Sequence, residues 1–220
     1  MATTTKAERT RQTILDAAMG LFRREGYDRA TMRSIAQEAG VSVGNAYYYF
    51  ASKEHLIQAF YDQIQVEHAA ASERVLAHDR RFEQRLLGVL HAWLDVAAAH
   101  HAFAGQFFRN AADPHSPLSP FSPESAPARD TSIALFTRLV EDSDAKPVAA
   151  LRPELPRLLW LLQMGVVLFW VYDDSPQQVR SRELVTRIVP IVDRMVRLSR
   201  LPVVRGLVDD VVGLVRAVGR

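Results

Sequence analysis

The sequence predicts an all-α protein, a small N-terminal three-helix unit followed by a larger helical one, and three observations carry that prediction. Apolar residues recur at helical spacing along nearly the whole chain. Alternating β-branched runs bounded by Asn-Gly or Asp-Gly turns are absent. Thr or Ser stands before several of the periodic runs and Gly after them, where helices start and stop. The 220 residues, 48% apolar and 24% charged, have the composition of a folded chain long enough to bury a core.

In chain order, Ile14, Ala18, Leu21 and Phe22 mark one face of a first helix, and Gly26 follows its basic last turn of Arg23 and Arg24 as a stop. Thr31 can cap a short helix carrying Ile35, Ala36 and Ala39. Gly40 then supplies a left-handed turn residue, and Ser42 can cap a second short helix ending at Phe50, which belongs to the core. Ser52 can cap a longer linking helix over 52–68 with Leu56, Ile57, Phe60, Tyr61 and Ile64 inward. These elements divide the chain into 1–53, an N-terminal arm with the short helices, and 54–220, a helical second domain.

Further helices are expected at 82–100, 102–112, 131–141, 154–172 and 177–198. A last amphipathic one carries Val204, Leu207, Val208, Val211, Leu214, Val215 and Val218. It reads as packing against the core. A membrane-surface anchor would want Trp and a Lys-rich polar face, which it lacks. Between 113 and 127 stand Pro114, Pro117, Pro120, Pro123 and Pro127, so no helix runs through that segment. It is either a lid beside a pocket or a plain crossover. Pro190 falls inside a helical pattern and should kink or break it.

With no cysteine, disulfides, thiolate zinc sites, iron–sulfur clusters and cysteine nucleophiles are excluded, and a cytoplasmic location fits best. Residues 1–12 lack the apolar core of a secretory signal, and the run 158–172 is too short to span a bilayer. Formal net charge is +2, yet the first 53 residues hold eight Lys and Arg against five Asp and Glu. That excess points to a polyanion partner at the front of the chain.

The stretch 31–53 reads TMRSIAQEAGVSVGNAYYYFASK. Two helices of about eight residues joined at Gly40-Val41-Ser42, with small Ala36 and Ala39 at their crossing, make a helix-turn-helix. In such a unit the second helix enters the major groove. Its first turn presents Val43, Gly44 and Asn45, and Asn45 alone there can read adenine through a bidentate amide. Tyr47, Tyr48 and Tyr49 project at 100° intervals, so they cannot all face the core. Their hydroxyls can donate to phosphates and their rings can meet a thymine methyl. Arg33 and Lys53 stand where they can clamp the backbone on either side. Taken singly, a tyrosine triplet is packing and Arg33 a solvated charge; the ordered set of caps, turn and cations favours recognition.

This run resembles the DNA-binding domain of the TetR family of bacterial transcriptional regulators, over about residues 8–65. The resemblance implies an all-helical homodimer, a C-terminal domain that binds a small ligand and dimerises through a four-helix bundle, and a repressor released from a double-stranded operator by an inducer. Carried over by motif position, DNA contacts fall on Thr31, Arg33, Val43, Gly44, Asn45, Tyr47, Tyr48, Tyr49 and Lys53. Asn45 stands where the family often has Thr, and Ala46 where a larger apolar residue is usual.

In the second domain, 158–172 is apolar around nearly its whole circumference and must be covered on both sides. A partner subunit on one side would place Leu158, Leu162 and Phe169 with Leu184, Ile188, Ile191 and Met195 in a two-fold interface. A fully buried monomer core competes with that. Pocket candidates for an apolar or aromatic effector are Trp93, Phe103, Phe107, Phe108, Phe136, Trp160, Gln163 and Met164, unless they are ordinary core. His91 and Asp95 form half of a metal site with no third ligand in view, and no phosphate loop, GxSxG or HExxH occurs. No enzyme, metal or cofactor is expected. The other functional reading is a constitutive or architectural DNA binder whose second domain is solely a dimerisation block.

Overall fold

The computed structural model describes residues 5–111 and 116–218, with all their side chains except those of Phe103, Gln106, Phe107, Arg109, Asn110 and Val218. Among the described residues every regular element is helical: α1 (Lys6–Glu25), α2 (Met32–Glu38), α3 (Val43–Tyr49), α4 (Lys53–His78), α5 (Phe82–Ala97), α6 (His101–Ala111), α7 (Ala126–Glu141), α8 (Leu155–Val171), α9 (Val179–Leu198) and α10 (Arg205–Val218). Three short 3₁₀ turns precede α6, α9 and α10.

The chain divides into two units, 1–64 with 100–128 and 65–99 with 129–220. The boundary between these units falls inside α4, and 100–128 belongs to the first of them. In that unit α1 packs on α2, α2 on α3, and α6 on α1. Ile14, Ala18, Phe22, Ile35, Ala36, Leu56 and Ile57 form a fully buried core. The segment 116–125 is no bare crossover. Ser119 N donates to the Ser116 carbonyl and Ser122 N to that of Ser119. Ser122 Oγ donates to the Pro117 carbonyl at 2.9 Å, and Leu118 is buried. Residue 113 and its neighbours in 112–115 lie outside the described residues. The helix expected from 131 begins at Ala126, because Pro127 sits in its first turn, where the missing N–H has no bond to lose.

In the second unit α9 packs along α5 and against α8. The helix expected at 82–100 ends as α5 at Ala97 and finishes in a 3₁₀ turn, Ala98–His100. Arg85 is buried without a carboxylate. Its guanidinium donates to the carbonyls of Leu76 (2.8 Å) and Asp79 (2.8 Å) at the end of α4, and of Leu139 (3.1 Å) near the end of α7. One side chain thus satisfies carbonyls that two helix C-termini leave unpaired. α4 and α5 approach closely at Gly88, where a Cβ would stand 2.4 Å from Val75 Cγ1.

Of the kink or break expected at Pro190, a break does not occur: α9 is continuous from Val179 to Leu198 with Pro190 inside it. Val185 and Val189 on its inner face are fully buried, and that packing outweighs the single backbone bond Pro190 removes. The irregularity lies instead ahead of α9, where Gln177 and Gln178 take φ of 55° and 51°. Buried Asp173 holds this turn. One oxygen accepts from Ser175 N (3.0 Å) and Oγ (2.5 Å), the other from Ser181 N (2.8 Å) and Oγ (2.7 Å). Burial alone would raise the Asp173 pKa; the Ser175 and Ser181 hydrogen bonds overcome it and bring the carboxyl down to about 2.

Candidate nucleic-acid interface

Each short helix of the N-terminal unit is nucleated by its own sequence. Thr31 Oγ1 accepts from Ser34 N at 3.1 Å, and the Ser34 hydroxyl accepts from Thr31 N at 3.0 Å, closing a reciprocal cap on α2. At the other end Gly40 N donates to Gln37 O and Val41 N to Ala36 O, with Gly40 at φ +67°. That is a Schellman turn, and it explains why glycine stands at position 40. Ser42 Oγ accepts from Asn45 N at 3.1 Å and caps α3. Thr5 and Glu8 form a capping box at the start of α1.

The turn aims α3 through two buried residues, Ala46 at 0% and Phe50 at 3% exposure. Ala46, small where the family pattern is larger, is fully packed. With that face inward, Tyr48 is 81% and Tyr47 51% exposed. Tyr49 is half-buried with its ring edge-on to Tyr48 at 5.1 Å. Val43 and Gly44 are exposed and Asn45 half-exposed on the first turn. Thr31 and Arg33 are exposed on α2, and Arg33 makes no ion pair among the described residues. The nine positions expected to contact DNA thus lie on α2, α3 and the first turn of α4, with the apolar face of α3 buried beneath them.

Lys53 is tied inward as well. Its Nζ donates to the Tyr27 carbonyl at 2.8 Å and lies 4.3 Å from the Tyr27 ring centroid. The Tyr27 hydroxyl donates to Glu54 Oε1 at 2.9 Å. Ser52, expected to cap α4, pairs with His55 Nδ1 at 3.0 Å. Hydrogen bonding from Ser52, then from Tyr27, outweighs partial burial and holds the Glu54 carboxyl below the usual range. Sequence reasoning missed Tyr27, Glu54 and Arg11, whose guanidinium lies 4.9 Å from the Phe50 ring centroid. Nothing in local spacing signals partners 26 or more residues apart.

The effector candidates fall in both units. Phe103, Phe107 and Phe108 are on α6 in the first, and the side chains of Phe103 and Phe107 lie outside the described residues. In the second, Trp93, Phe136, Trp160 and Gln163 are buried and Met164 half-buried. The Trp93 and Trp170 rings meet edge-on at 5.2 Å and join α5 to α8. Buried Gln163 Oε1 and Ser72 Oγ have no hydrogen-bond partner among the described residues. His68, also buried, donates from Nε2 to the Val89 carbonyl at 3.0 Å. His91 and Asp95 are each engaged with α9. Asp95 pairs with Arg182 at 2.7 Å and His91 meets Thr186 Oγ1 at 3.4 Å. Among the described residues no three His, Cys, Asp or Glu converge.

The dimer candidates form two open stripes. Phe169 on α8 and Ile191 and Met195 on α9 are exposed, and Leu158, Leu162, Leu184 and Ile188 are half-buried. Leu168, Tyr172 and Leu198 extend them. Among the described residues no helix is long and apolar enough to cross a membrane.

Residues 14–60 match the family model described as bacterial regulatory proteins, tetR family. Residues 85–214 match that described as Tetracyclin repressor-like, C-terminal domain. The HTH-type transcriptional regulator UidR of Escherichia coli K12 is 39% identical over 85 residues, a match that spans 39% of this chain and 38% of UidR. A TetR-family regulator of Syntrophomonas wolfei shares the fold with a TM-score of 0.67 at 17% identity, over 84% of this chain and 95% of that one. Thermus thermophilus FadR, a TetR-family repressor solved in complex with lauroyl-CoA, does so at 0.58 and 21% identity, over 82% and 93%. The helix-turn-helix turn built by Gly40, the tyrosines it exposes and the matched helical domain after it agree on one assignment. This chain belongs to the TetR family of bacterial transcriptional regulators, which are DNA-binding proteins and not enzymes.

Proposed function

We propose that the chain is a cytoplasmic repressor that binds a near-palindromic operator as a homodimer and releases it on binding a small, largely apolar ligand. The observation that carries the DNA part is the outer face of α3. Asn45, Tyr47 and Tyr48 are presented while Ala46 and Phe50 anchor the helix. Exposed phenols of that size are costly on a bare surface and useful against phosphates and thymine methyls. The open α8 and α9 stripes support a two-fold dimer, which matches two half-sites about a helical turn or more apart. The unpartnered buried oxygens of Ser72 and Gln163 support a ligand with a polar group that can donate to them. The Thermus FadR complex with lauroyl-CoA supports an effector with a long apolar part.

The test is selection of binding sites from fragmented genomic DNA, followed by anisotropy titration of the enriched fragments at two salt concentrations. An enriched inverted repeat bound at nanomolar affinity is expected. A folded dimer that enriches no sequence would refute operator recognition and favour an architectural DNA binder.

A further inference from the structure

The inward line of α4 in the second unit is polar. From 65 to 78 its buried positions are His68 and Ser72, one turn apart, where a helix packed on a core turns Leu or Val inward. His68 Nε2 donates to the Val89 carbonyl at 3.0 Å, and burial pushes the imidazole pKa down, so the ring is neutral at pH 7. Ser72 Oγ has no hydrogen-bond partner among the described residues. α8 repeats the pattern. Between Leu159 and Trp170 its buried positions are Leu159, Trp160, Gln163, Val166 and Trp170, apolar except for Gln163, whose Oε1 is unpartnered among the described residues. α5 meets both lines: Val89 receives His68, and Trp93, one turn on, meets Trp170 edge-on at 5.2 Å.

Other buried polar side chains of this unit are answered from within the chain. Gln65 donates to Ser132, Ser143 and Ser199 donate to carbonyls one turn back, and Asp173 holds Ser175 and Ser181. The Arg85 guanidinium is taken up by the carbonyls of Leu76, Asp79 and Leu139. Asp193 keeps one oxygen unpartnered, but the other pairs with Arg197. Among the described residues of this unit, therefore, no buried cation stands ready for an anion. Ser72 and Gln163 are uncharged groups left unanswered on lines that are otherwise packed.

We infer that Ser72 and Gln163 hold the polar head of the effector, and that this head is a hydroxyl on an apolar body, an alcohol or a phenol. A hydroxyl gives one hydrogen and takes another, so it donates to Gln163 Oε1 and accepts from Ser72 Oγ–H. A carboxylate or phosphate would meet Gln163 Oε1 without a cation beside it, in an interior where an unpaired charge is costly. The apolar body lies along the Trp160 and Val166 face of α8. This rests on the ligand-released regulator proposed above and names the chemical class of its effector.

Three probes of equal chain length test it: octanol, its methyl ether methoxyoctane, and octanoate. The chain's three tryptophans, Trp93, Trp160 and Trp170, are all buried in this unit, so their fluorescence reports binding there. Circular dichroism checks that each variant is folded. Octanol is expected to bind the full chain, the ether about fivefold to tenfold more weakly because it cannot donate, and octanoate more than about tenfold more weakly at pH 7. Q163L is expected to abolish the gap between alcohol and ether. S72A is expected to weaken both alike, since both accept its hydrogen. Octanoate that binds as tightly as octanol, or a gap that survives Q163L, overturns the hydroxyl head and leaves the effector reading standing. Q163L and S72A chains that keep every affinity unchanged overturn it in favour of fixed water on these groups. Failure of all three probes to bind overturns the site itself. Octanol that binds with the expected pattern yet leaves operator affinity unchanged overturns the ligand-released repressor and leaves the site.

Discussion

Lys53 Nζ donates to the carbonyl of Tyr27 at 2.8 Å while standing 4.3 Å from the centroid of the same residue's ring. The first turn of α4 is thereby fastened to the turn between α1 and α2, and the Tyr27 hydroxyl returns a bond to Glu54 at 2.9 Å. An ammonium has three donors, so Lys53 can hold Tyr27 and still reach a phosphate. Lys53→Ala is expected to weaken binding to all DNA sequences about equally and to lower the slope of log affinity against log salt by about one. Anisotropy titrations over a salt series on specific and random duplexes measure this; a sequence-selective loss would contradict it.

Asn45 contributes its backbone amide to the Ser42 cap and keeps its side-chain amide on the outer first turn of α3. Asn45→Ala is expected to relax selectivity at one base pair of each half-site by about 1 to 3 kcal/mol and to leave the other positions unchanged. Competition among single-base variants of the selected site reads the effect. Uniform loss across all variants would remove Asn45 from base reading.

Asp173 binds the α8 to α9 turn through four short hydrogen bonds, and its pKa lies at about 2 in the folded chain against an ordinary value near 3.8. A carboxyl lowered on folding stabilises fully above the unfolded value, and that contribution disappears as pH falls from about 4 through 2. Asp173→Asn is expected to cost about 2 kcal/mol at neutral pH and to flatten the acid limb of the stability curve. Urea midpoints between pH 2 and pH 7 check both parts.

Arg85 reaches the carbonyls of Leu76, Asp79 and Leu139 from a buried position. Arg85→Leu fills similar space but leaves these oxygens unpaired in the interior, with an expected loss of about 3 kcal/mol. Arg85→Lys, lacking the planar fork, is expected to recover only part of it. Denaturant unfolding of the three chains gives the order.

Gly88 faces Val75 with no room for a methyl group. Gly88→Ala is expected to destabilise by about 2 kcal/mol through overpacking, and adding Val75→Ala to recover most of that. Costs that simply add in the double variant would place the two residues apart.

What was legible in the sequence is what depends on near neighbours. The caps at Thr31 and Ser42, the stop at Gly26 and the turn at Gly40 are bonds between residues three to five apart, so local spelling determines them wherever the rest of the chain goes. The outer face of α3 followed for the same reason: once Ala46 and Phe50 are inward, helix periodicity alone sends Tyr47 and Tyr48 out. Partners distant in sequence were not legible. Lys53 with Tyr27, Asp173 with Ser181, and Arg85 with the ends of α4 and α7 exist because helices were brought together, and no spacing encodes them. The same physics kept α9 whole through Pro190. A local rule counts one lost backbone bond of a few kcal/mol, whereas packing of Val185 and Val189 against neighbouring helices holds the whole element at once. Thus the sequence by itself determined the kinds of element and the outward face of α3, through short-range hydrogen bonds and period. Only the tertiary structure decided which polar groups are buried and satisfied, and which apolar side chains on α8, α9 and α10 stay exposed, because burial is a property of neighbours that chain order does not name.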